Sequence, residues 1–481
     1  MTRTPLTSLL ALSVVLSGCG GDGGGGSSAP VVATTGPSGA PTPAPSAGCT
    51  LRDRQDWAAA QLREWYLFPE TLPASLDPAP FTSVQAYVDA LTATARGQRR
   101  DRNFTYVTSI AQENAFFSSG SSAGFGIRLS TDGAAGRVFV AEAFEGAPAL
   151  AQGIDRGTEI LAIGTNANDL RTVRSIITAE GGGGVTAALG PNTAGVTRLL
   201  RVTDGAGQRD VTVSKADYSL TPVSDRYGAR IINDGGRQVG YVNLRTFINT
   251  ADAPLRNAFA TFRAANVTDV IIDVRYNGGG LVSIAELVGD LLGRARTPGE
   301  VLNYTTYRPE KASRNSTRLF QPRAESIAPT RVAFIGTAAT ASASELILND
   351  QIPYLRANAA LIGTNTFGKP VGQIAIDRGA CDDRLRVVAF ATQNAARQGA
   401  YFDGLATVVE ASCQAADDIN RPLGDSSEAS VRAALDFIAG RPCNRISAGE
   451  VGTLSARAEG KRELLTPADP DAAQREVPGL F

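Results

Sequence analysis

Residues 331–350, RVAFIGTAATASASELILND, decide how this chain is read. The apolar run RVAFIG has the make-up of a short buried strand, and it breaks into small residues carrying Ser342 and Ser344. The segment then enters Glu345-Leu346-Ile347, the start of an apolar helix. A serine at a strand end, immediately before a helix, lies where backbone N–H groups and the helix dipole favour negative charge. A serine hydroxyl is a poor nucleophile until a base removes its proton. The 481-residue chain contains no histidine, so a Ser-His-Asp triad is excluded and the base must be Lys, Glu or Asp.

Outward from this stretch, the chain from about residue 216 alternates strands and helices. The segment ARIINDGGRQVGYVNLRTF reads as a hairpin around Asp234-Gly235-Gly236, and PLRNAFATFRAA reads as a helix. TDVIIDVRYNGGGLVSIAELVGDLL is an apolar strand, a glycine loop and a helix, and AALIGT is a further buried strand. Helices between parallel strands imply an α/β sheet with its functional loops at the strands' carboxyl ends. Three such loops follow, at residues 275–280, 337–344 and 363–369. Lys369 comes 27 residues (369 − 342) after Ser342, room for a helix, a strand and a turn, so a crossover returns both to one sheet edge.

Taken in order, these loops resemble the carboxyl-terminal processing (tail-specific) protease family, over about residues 119–410. The family patterns D-x-R-x-N-x-G-G, S-A-S-E and F-G-K-x-x-x-Q stand here as Asp273 to Gly280, Ser342-Ala343-Ser344-Glu345, and Phe367-Gly368-Lys369 with Gln373. The resemblance implies Ser342 as nucleophile, Lys369 as base and Gln373 as its orienting residue. It also implies the amides of Gly279 and Ala343 as an oxyanion hole. Tyr276 and Gly278 depart from the commoner family residues. Ser344 reads as an N-cap hydroxyl and Glu345 as a first-turn residue. For Lys369 to take a proton near neutral pH, its ammonium must be disfavoured by roughly 4 kcal/mol relative to water, which burial beneath substrate supplies.

Upstream, SSAGFGIRLS and GRVFVAEAFEGAPALAQGIDRGTEILAIG resemble a PDZ domain of the bacterial protease type, over about residues 119–215. The resemblance makes Gly124, Phe125, Gly126 and Ile127 the loop whose amides receive a peptide's C-terminal carboxylate, while a strand edge captures the peptide. Thr158 and Thr165 replace the usual Asp and Asn. Gly120 to Gly124 also satisfies the G-x-S-x-G pattern of a hydrolase elbow, but neither the strand-turn-helix context nor a histidine accompanies it, so it reads as a Ser/Gly loop.

The amino-terminal stretch MTRTPLTSLLALSVVLSGCG has a positive residue, an apolar run too short to span a bilayer, and a close in Leu16-Ser17-Gly18-Cys19. That close resembles the lipobox of bacterial lipoproteins. It implies a signal peptide over 1–18, lipidation at Cys19 and, with Gly20 following, an outer-membrane destination. Residues 19–48, rich in Gly, Pro and Ser, read as a tether. Residues 49–118 read as a helical region, with Thr82 and Gln85 as a capping box, and residues 446–481 as a loosely ordered polar tail. Beyond Cys19, an even set of cysteines, Cys49, Cys381, Cys413 and Cys443, is expected to form two bridges in an oxidising compartment. Of the three connectivities, Cys381 with Cys413 and Cys49 with Cys443 is favoured.

A net charge of −1 without a basic surplus or acidic block gives no signal for nucleic acid or a charge tail. The expected fold class is α/β and β multi-domain: a small helical region, a PDZ domain, and a protease core over 216–445 with a mostly parallel sheet. The expected function is a serine endopeptidase with a Ser342/Lys369 dyad, without metal or cofactor. It would act on protein or peptide substrates through their C-termini, lipid-anchored in the bacterial cell envelope on the periplasmic face of the outer membrane or the cell surface. The competing class is a catalytically silent PDZ-based peptide-binding or scaffold lipoprotein.

Overall fold

The computed structural model describes residues 48–447 and 462–481. The expected signal peptide, Cys19 and nearly all of the tether fall outside the described residues. The fold is mixed α/β with several sheets.

At its centre lies a six-stranded sheet in the order Arg230–Asp234, Arg237–Asn243, Asp269–Asp273, Arg331–Gly336, Ala359–Gly363, Ala411–Gln414. The first pair is an antiparallel hairpin and every later pairing is parallel. Strands Asp269–Asp273 and Ala359–Gly363 are buried throughout because helices cover both faces. On one face, helix Asp252–Ala264 presents Leu255, Ala258, Phe259 and Phe262, an i, i+3, i+4, i+7 stripe. Helices Val282–Leu291 and Ala343–Asn349 complete that layer. On the other face, Val431, Ala434, Leu435 and Ile438 of helix Ala429–Ile438 pack on Ile271, Ala333, Ile335 and Ile362. Burying each large apolar side chain of these stripes stabilises the layers by about 1.5–3 kcal/mol.

A second, antiparallel sheet is built on the hairpin Val371–Arg378 and Asp383–Asn394, extended by Val301–Tyr307 and Ser316–Leu319. Helices Leu51–Trp65 and Val84–Leu91 cover it through Leu62, Tyr87 and Val88. The region 49–118 therefore departs from the helical reading at one point: Tyr106–Ser109 is a strand paired with residues Asp383 to Arg386. Its partner lies far away in sequence, so no local periodicity announced it. The expected capping box is also corrected. Ser83, not Thr82, caps Val84–Leu91 by accepting the Ala86 N–H. Gln85 Oε1 instead accepts the Val107 N–H at 2.8 Å.

Within residues 119–215 a third, antiparallel sheet includes Ile127–Asp132, Arg137–Ala143, Glu159–Gly164, Thr197–Asp204 and Gly207–Ser214. Helix Val173–Leu189 lies over it through Val173, Ile176, Val185 and Leu189. Ser121–Gly124 pairs with Ala216–Ser219. The G-x-S-x-G segment is thus a strand following helix Ile110–Ser119, rather than a loop or an elbow.

The bridges are Cys49–Cys381 and Cys413–Cys443, with Cα–Cα separations of 5.6 and 5.4 Å. This corrects the favoured pairing of Cys381 with Cys413. Cys381 occupies the connection of the hairpin that Leu51–Trp65 packs against, which brings Cys49 to it. Cys413 is on the edge strand Ala411–Gln414, where the Gln414 N–H donates to Asn444 O at 2.7 Å and draws Cys443 alongside.

The polar tail expected from 446 onward is corrected over its described part. Glu463–Leu464 pairs with Ile127–Asp132, a capped helix runs Ala472–Glu476, and Val477, Leu480 and Phe481 are buried. Sparse but well-spaced apolar residues suffice for this because the receiving groove is already apolar.

Candidate active site

Parallel neighbours Asp269–Asp273, Arg331–Gly336 and Ala359–Gly363 end side by side, and each carboxyl end opens into one of the three loops. Asn277 ties the first loop to the second. Its backbone oxygen accepts the Ala341 N–H at 3.1 Å and the Ser344 hydroxyl at 3.0 Å, and its side chain donates to Leu244 O at 2.9 Å. Ser344 is therefore a tie between loops and not the N-cap hydroxyl expected. Thr340 adds a second tie, donating to Val274 O at 2.8 Å.

Ser342 stands immediately before helix Ala343–Asn349 with φ 56° and ψ −119°, a backbone conformation that side chains rarely adopt. Such strain persists only where surrounding contacts fix it, and here they converge on Glu345. Its Oε2 accepts the N–H of Ser342 at 3.0 Å and the N–H of Lys369 at 2.7 Å. Its Oε1 accepts the N–H of Gly368 at 2.7 Å and the Thr366 hydroxyl at 2.6 Å. The serine and lysine backbones are thus both within hydrogen-bond reach of one oxygen atom. Burial raises the Glu345 carboxyl above its ordinary range while these donors pull it down.

Lys369 follows the third strand in the loop before Val371–Arg378, and Gln373 is on that strand. The Lys369 ammonium donates to Gln373 Oε1 at 2.8 Å, and Gln373 in turn donates to Phe104 O. Lys369 Nζ lies 5.0 Å from the centre of the Phe104 ring, which packs with Phe367. Burial lowers the Lys369 pKa, and the carboxylate of Glu476 opposes that shift. Arg102 ties the same loop to the segment at Phe402, donating to the backbone oxygens of Phe367, Gly368 and Phe402.

Gly279 packs against the serine: a Cβ there would lie 2.7 Å from Ser342 Cβ, and its φ of 118° belongs to glycine. Its N–H donates to Asn277 Oδ1 at 2.9 Å. Ala343 opens its helix, so its N–H is among those with no acceptor within the helix. Beneath the loop, Arg275 is fully buried and donates to Asp273, Asp417 and Glu428. Tyr276 donates to Asp417 and accepts from Arg156, which belongs to the 119–215 region. In that region the amides of Gly126 and Ile127 donate to Phe481 O at 2.9 and 3.2 Å.

The structure thus brings together Ser342, Lys369, Gln373, Gly279 and Ala343, whereas Gly124 to Ile127 form a separate groove. Sequence reasoning missed Glu345 as the clamp, although Ser342-x-x-Glu345 has the spacing of a capping box. It missed Arg102 and Phe104 altogether, because nothing local announces that they meet a loop more than 260 residues away.

Residues 238–397 match the model of Peptidase family S41. Carboxyl-terminal-processing peptidase 3, chloroplastic, of Arabidopsis thaliana is 28% identical over 260 residues, 52% of this chain and 46% of that protein. The carboxyl-terminal-processing protease of Picosynechococcus sp. is 28% identical over 255 residues, 52% of this chain and 55% of that protein. The chain spans about half the length of these relatives. A crystal structure from Bacteroides fragilis NCTC 9343, described as an S41 protease, superposes with TM-score 0.60 at 22% identity. It covers 80% of this chain and 97% of that one, a likeness of fold.

Proposed function

From the match to Peptidase family S41 over residues 238–397, we propose that the protein is a serine endopeptidase working through a Ser342/Lys369 dyad. The observation that carries this reading is Glu345, whose one carboxylate oxygen accepts the backbone amides of both residues. Lys369 Nζ, neutral when it acts, takes the proton of Ser342 Oγ as that oxygen bonds to the substrate carbonyl carbon. The resulting oxyanion accepts the Ala343 N–H, and it shares the Gly279 N–H with Asn277 Oδ1. The Lys369 ammonium then gives its proton to the leaving amine, and the peptide bond breaks to leave an acyl-Ser342 ester. Water, deprotonated by Lys369, hydrolyses the ester and restores the serine. Gln373 Oε1 keeps Nζ on a fixed heading through the cycle.

The groove at Gly124 to Ile127 is proposed to receive substrate C-termini, as a PDZ domain does. Its support is the pair of amides at Gly126 and Ile127 that already hold a backbone oxygen. Export and lipid anchoring at Cys19 belong to the same proposal, supported by the Leu16-Ser17-Gly18-Cys19 sequence and by two disulfides suited to an oxidising compartment. A fluorophosphonate probe tests the catalytic reading against the silent scaffold. Labelling of the full chain that disappears in Ser342→Ala, with cleavage of an unfolded protein by the full chain, is expected. A protein that is folded yet neither labels nor cleaves after residues 462–481 are removed is a scaffold.

A further inference from the structure

Residues 462–481 bind the molecule in two places at once. At the groove, Phe481 lies along strand Ile127–Asp132. Phe481 N donates to Ile127 O at 2.9 Å, Gly126 and Ile127 donate back to Phe481 O, and Leu129 N donates to Gly479 O at 2.8 Å. This is addition of a strand to a sheet edge, the mode by which extended peptides dock. The Phe481 ring enters the core formed by Phe125, Ile127, Leu129 and Ile176. Leu480 and Val477 enter a second cluster with Phe116, Phe144, Tyr218 and Ile248. A Cβ at Gly124 would lie 2.9 Å from the Phe481 carbonyl carbon, so the groove floor is shaped to this backbone.

The second contact is with the catalytic loops. Gly278 N donates to Glu476 O at 3.2 Å, and a Cβ at Gly278 would lie 2.9 Å from that oxygen. Arg128, fully buried, fastens the two places together by donating to Pro478 O at 2.5 Å and Tyr276 O at 2.8 Å. The Arg475 guanidinium lies over the Tyr106 ring at 4.0 Å.

We propose that residues 467–481 are an intramolecular ligand that fills the peptide groove and covers the face of the Gly278–Gly279 loop, so that peptides ending in a bulky apolar residue must displace it before the Ser342 cleft is open. The electrostatics agree in sign. Burial lowers the Lys369 pKa and raises that of Glu476, and each group's charge opposes the shift of the other, so an ionised Glu476 favours the protonated lysine that cannot act as a base. An outside peptide meets a groove that is open only part of the time, and its apparent affinity falls by that fraction. A tethered occupant also competes at high effective concentration. The inference rests on the peptidase reading only for its activity readout.

The test compares the full chain with a variant lacking residues 462–481 and with Phe481→Ala, which removes only the ring. Three readouts are used: anisotropy of a labelled peptide ending in Leu-Phe, the rate of fluorophosphonate labelling at Ser342, and peptide hydrolysis. Both variants are expected to bind the peptide at least about tenfold more tightly and to label faster. A synthetic peptide of residues 467–481 added to the deletion variant is expected to reverse both gains. Where the deletion unfolds the domain, Phe481→Ala alone decides. Unchanged peptide affinity and unchanged labelling in folded Phe481→Ala overturn the proposal. Peptide binding does not depend on catalysis: tighter binding without any hydrolysis sinks the peptidase reading and leaves the occupied groove standing, while hydrolysis with unchanged binding does the reverse.

Discussion

Glu345 Oε2 accepts the backbone N–H of Lys369 at 2.7 Å, joining helix Ala343–Asn349 to the loop between strands Ala359–Gly363 and Val371–Arg378 through one buried carboxylate. The same oxygen takes the Ser342 N–H, so the position of the base is set by a residue of the nucleophile's own helix. Chemistry that needs Oγ and Nζ to meet therefore depends on a side chain that holds both residues by their backbones.

Glu345→Gln is expected to lower stability by about 3 kcal/mol and to cut kcat well below wild type. The substitution places an amide NH₂ among N–H donors and leaves at least one of them unpaired. Thermal unfolding and kcat against KM measure this. Wild-type stability together with wild-type kcat would refute the clamp.

Ser342→Ala and Lys369→Ala are each expected to abolish hydrolysis while leaving the fold intact, and the double variant is expected to be no worse than either. Groups that act as a unit fail together, so their effects do not add. Steady-state cleavage of a fluorogenic peptide by the three proteins, with circular dichroism as control, gives the comparison. Full activity in either single variant ends the dyad.

Activity is expected to rise with pH through a Lys369 pKa below the ordinary lysine value. Burial disfavours the ammonium, and the neutral amine is the base. The linkage sign follows from proton binding. Between the lowered folded value and the ordinary unfolded one, the unfolded chain holds more protons at this site, so this group's contribution to stability grows with pH across that window. Phe104→Ala, which opens the pocket beside Nζ to water, is expected to move the kcat profile to higher pH. A profile unmoved by Phe104→Ala would show that this ring does not set the lysine's surroundings.

Arg102→Ala is expected to lower kcat with little change in KM, because Arg102 holds the backbone of the base loop at Phe367 and Gly368. Arg102→Lys is expected to recover only part of the loss, since one ammonium cannot reproduce a planar fork aimed at several carbonyls. Equal kcat in all three proteins argues against the role.

Thiol counting on the unfolded, unreduced protein is expected to find Cys49, Cys381, Cys413 and Cys443 all oxidised, and peptide mapping to return Cys49–Cys381 and Cys413–Cys443. Removing either bridge is expected to cost about 2–4 kcal/mol. Recovery of a Cys381–Cys413 peptide would contradict the pairing.

The core sheet was legible because its signals are local. Apolar runs of strand length at 269–273, 331–336 and 359–363, the first two followed by a loop and a helix and the third by the loop that carries Lys369, specify parallel strands, and the missing histidine narrows the base to a few residue types. Ser342, Lys369 and Gln373 were legible through the resemblance of S-A-S-E and F-G-K-x-x-x-Q to family motifs, which are local in sequence. What the tertiary structure alone decided depends on partners distant in the chain. Arg102 and Phe104 reach the base loop, Tyr106–Ser109 joins a sheet whose other strands begin nearly 200 residues later, and Cys49 meets Cys381. Residues 462–481, polar enough to read as a loose tail, are ordered by a groove and a buried Arg128 that lie some 350 residues upstream. Periodicity and turn chemistry report the burial and backbone demands of a segment, whereas the choice of partner is made only when the layers close and each unpaired donor or apolar edge finds the group that fits it.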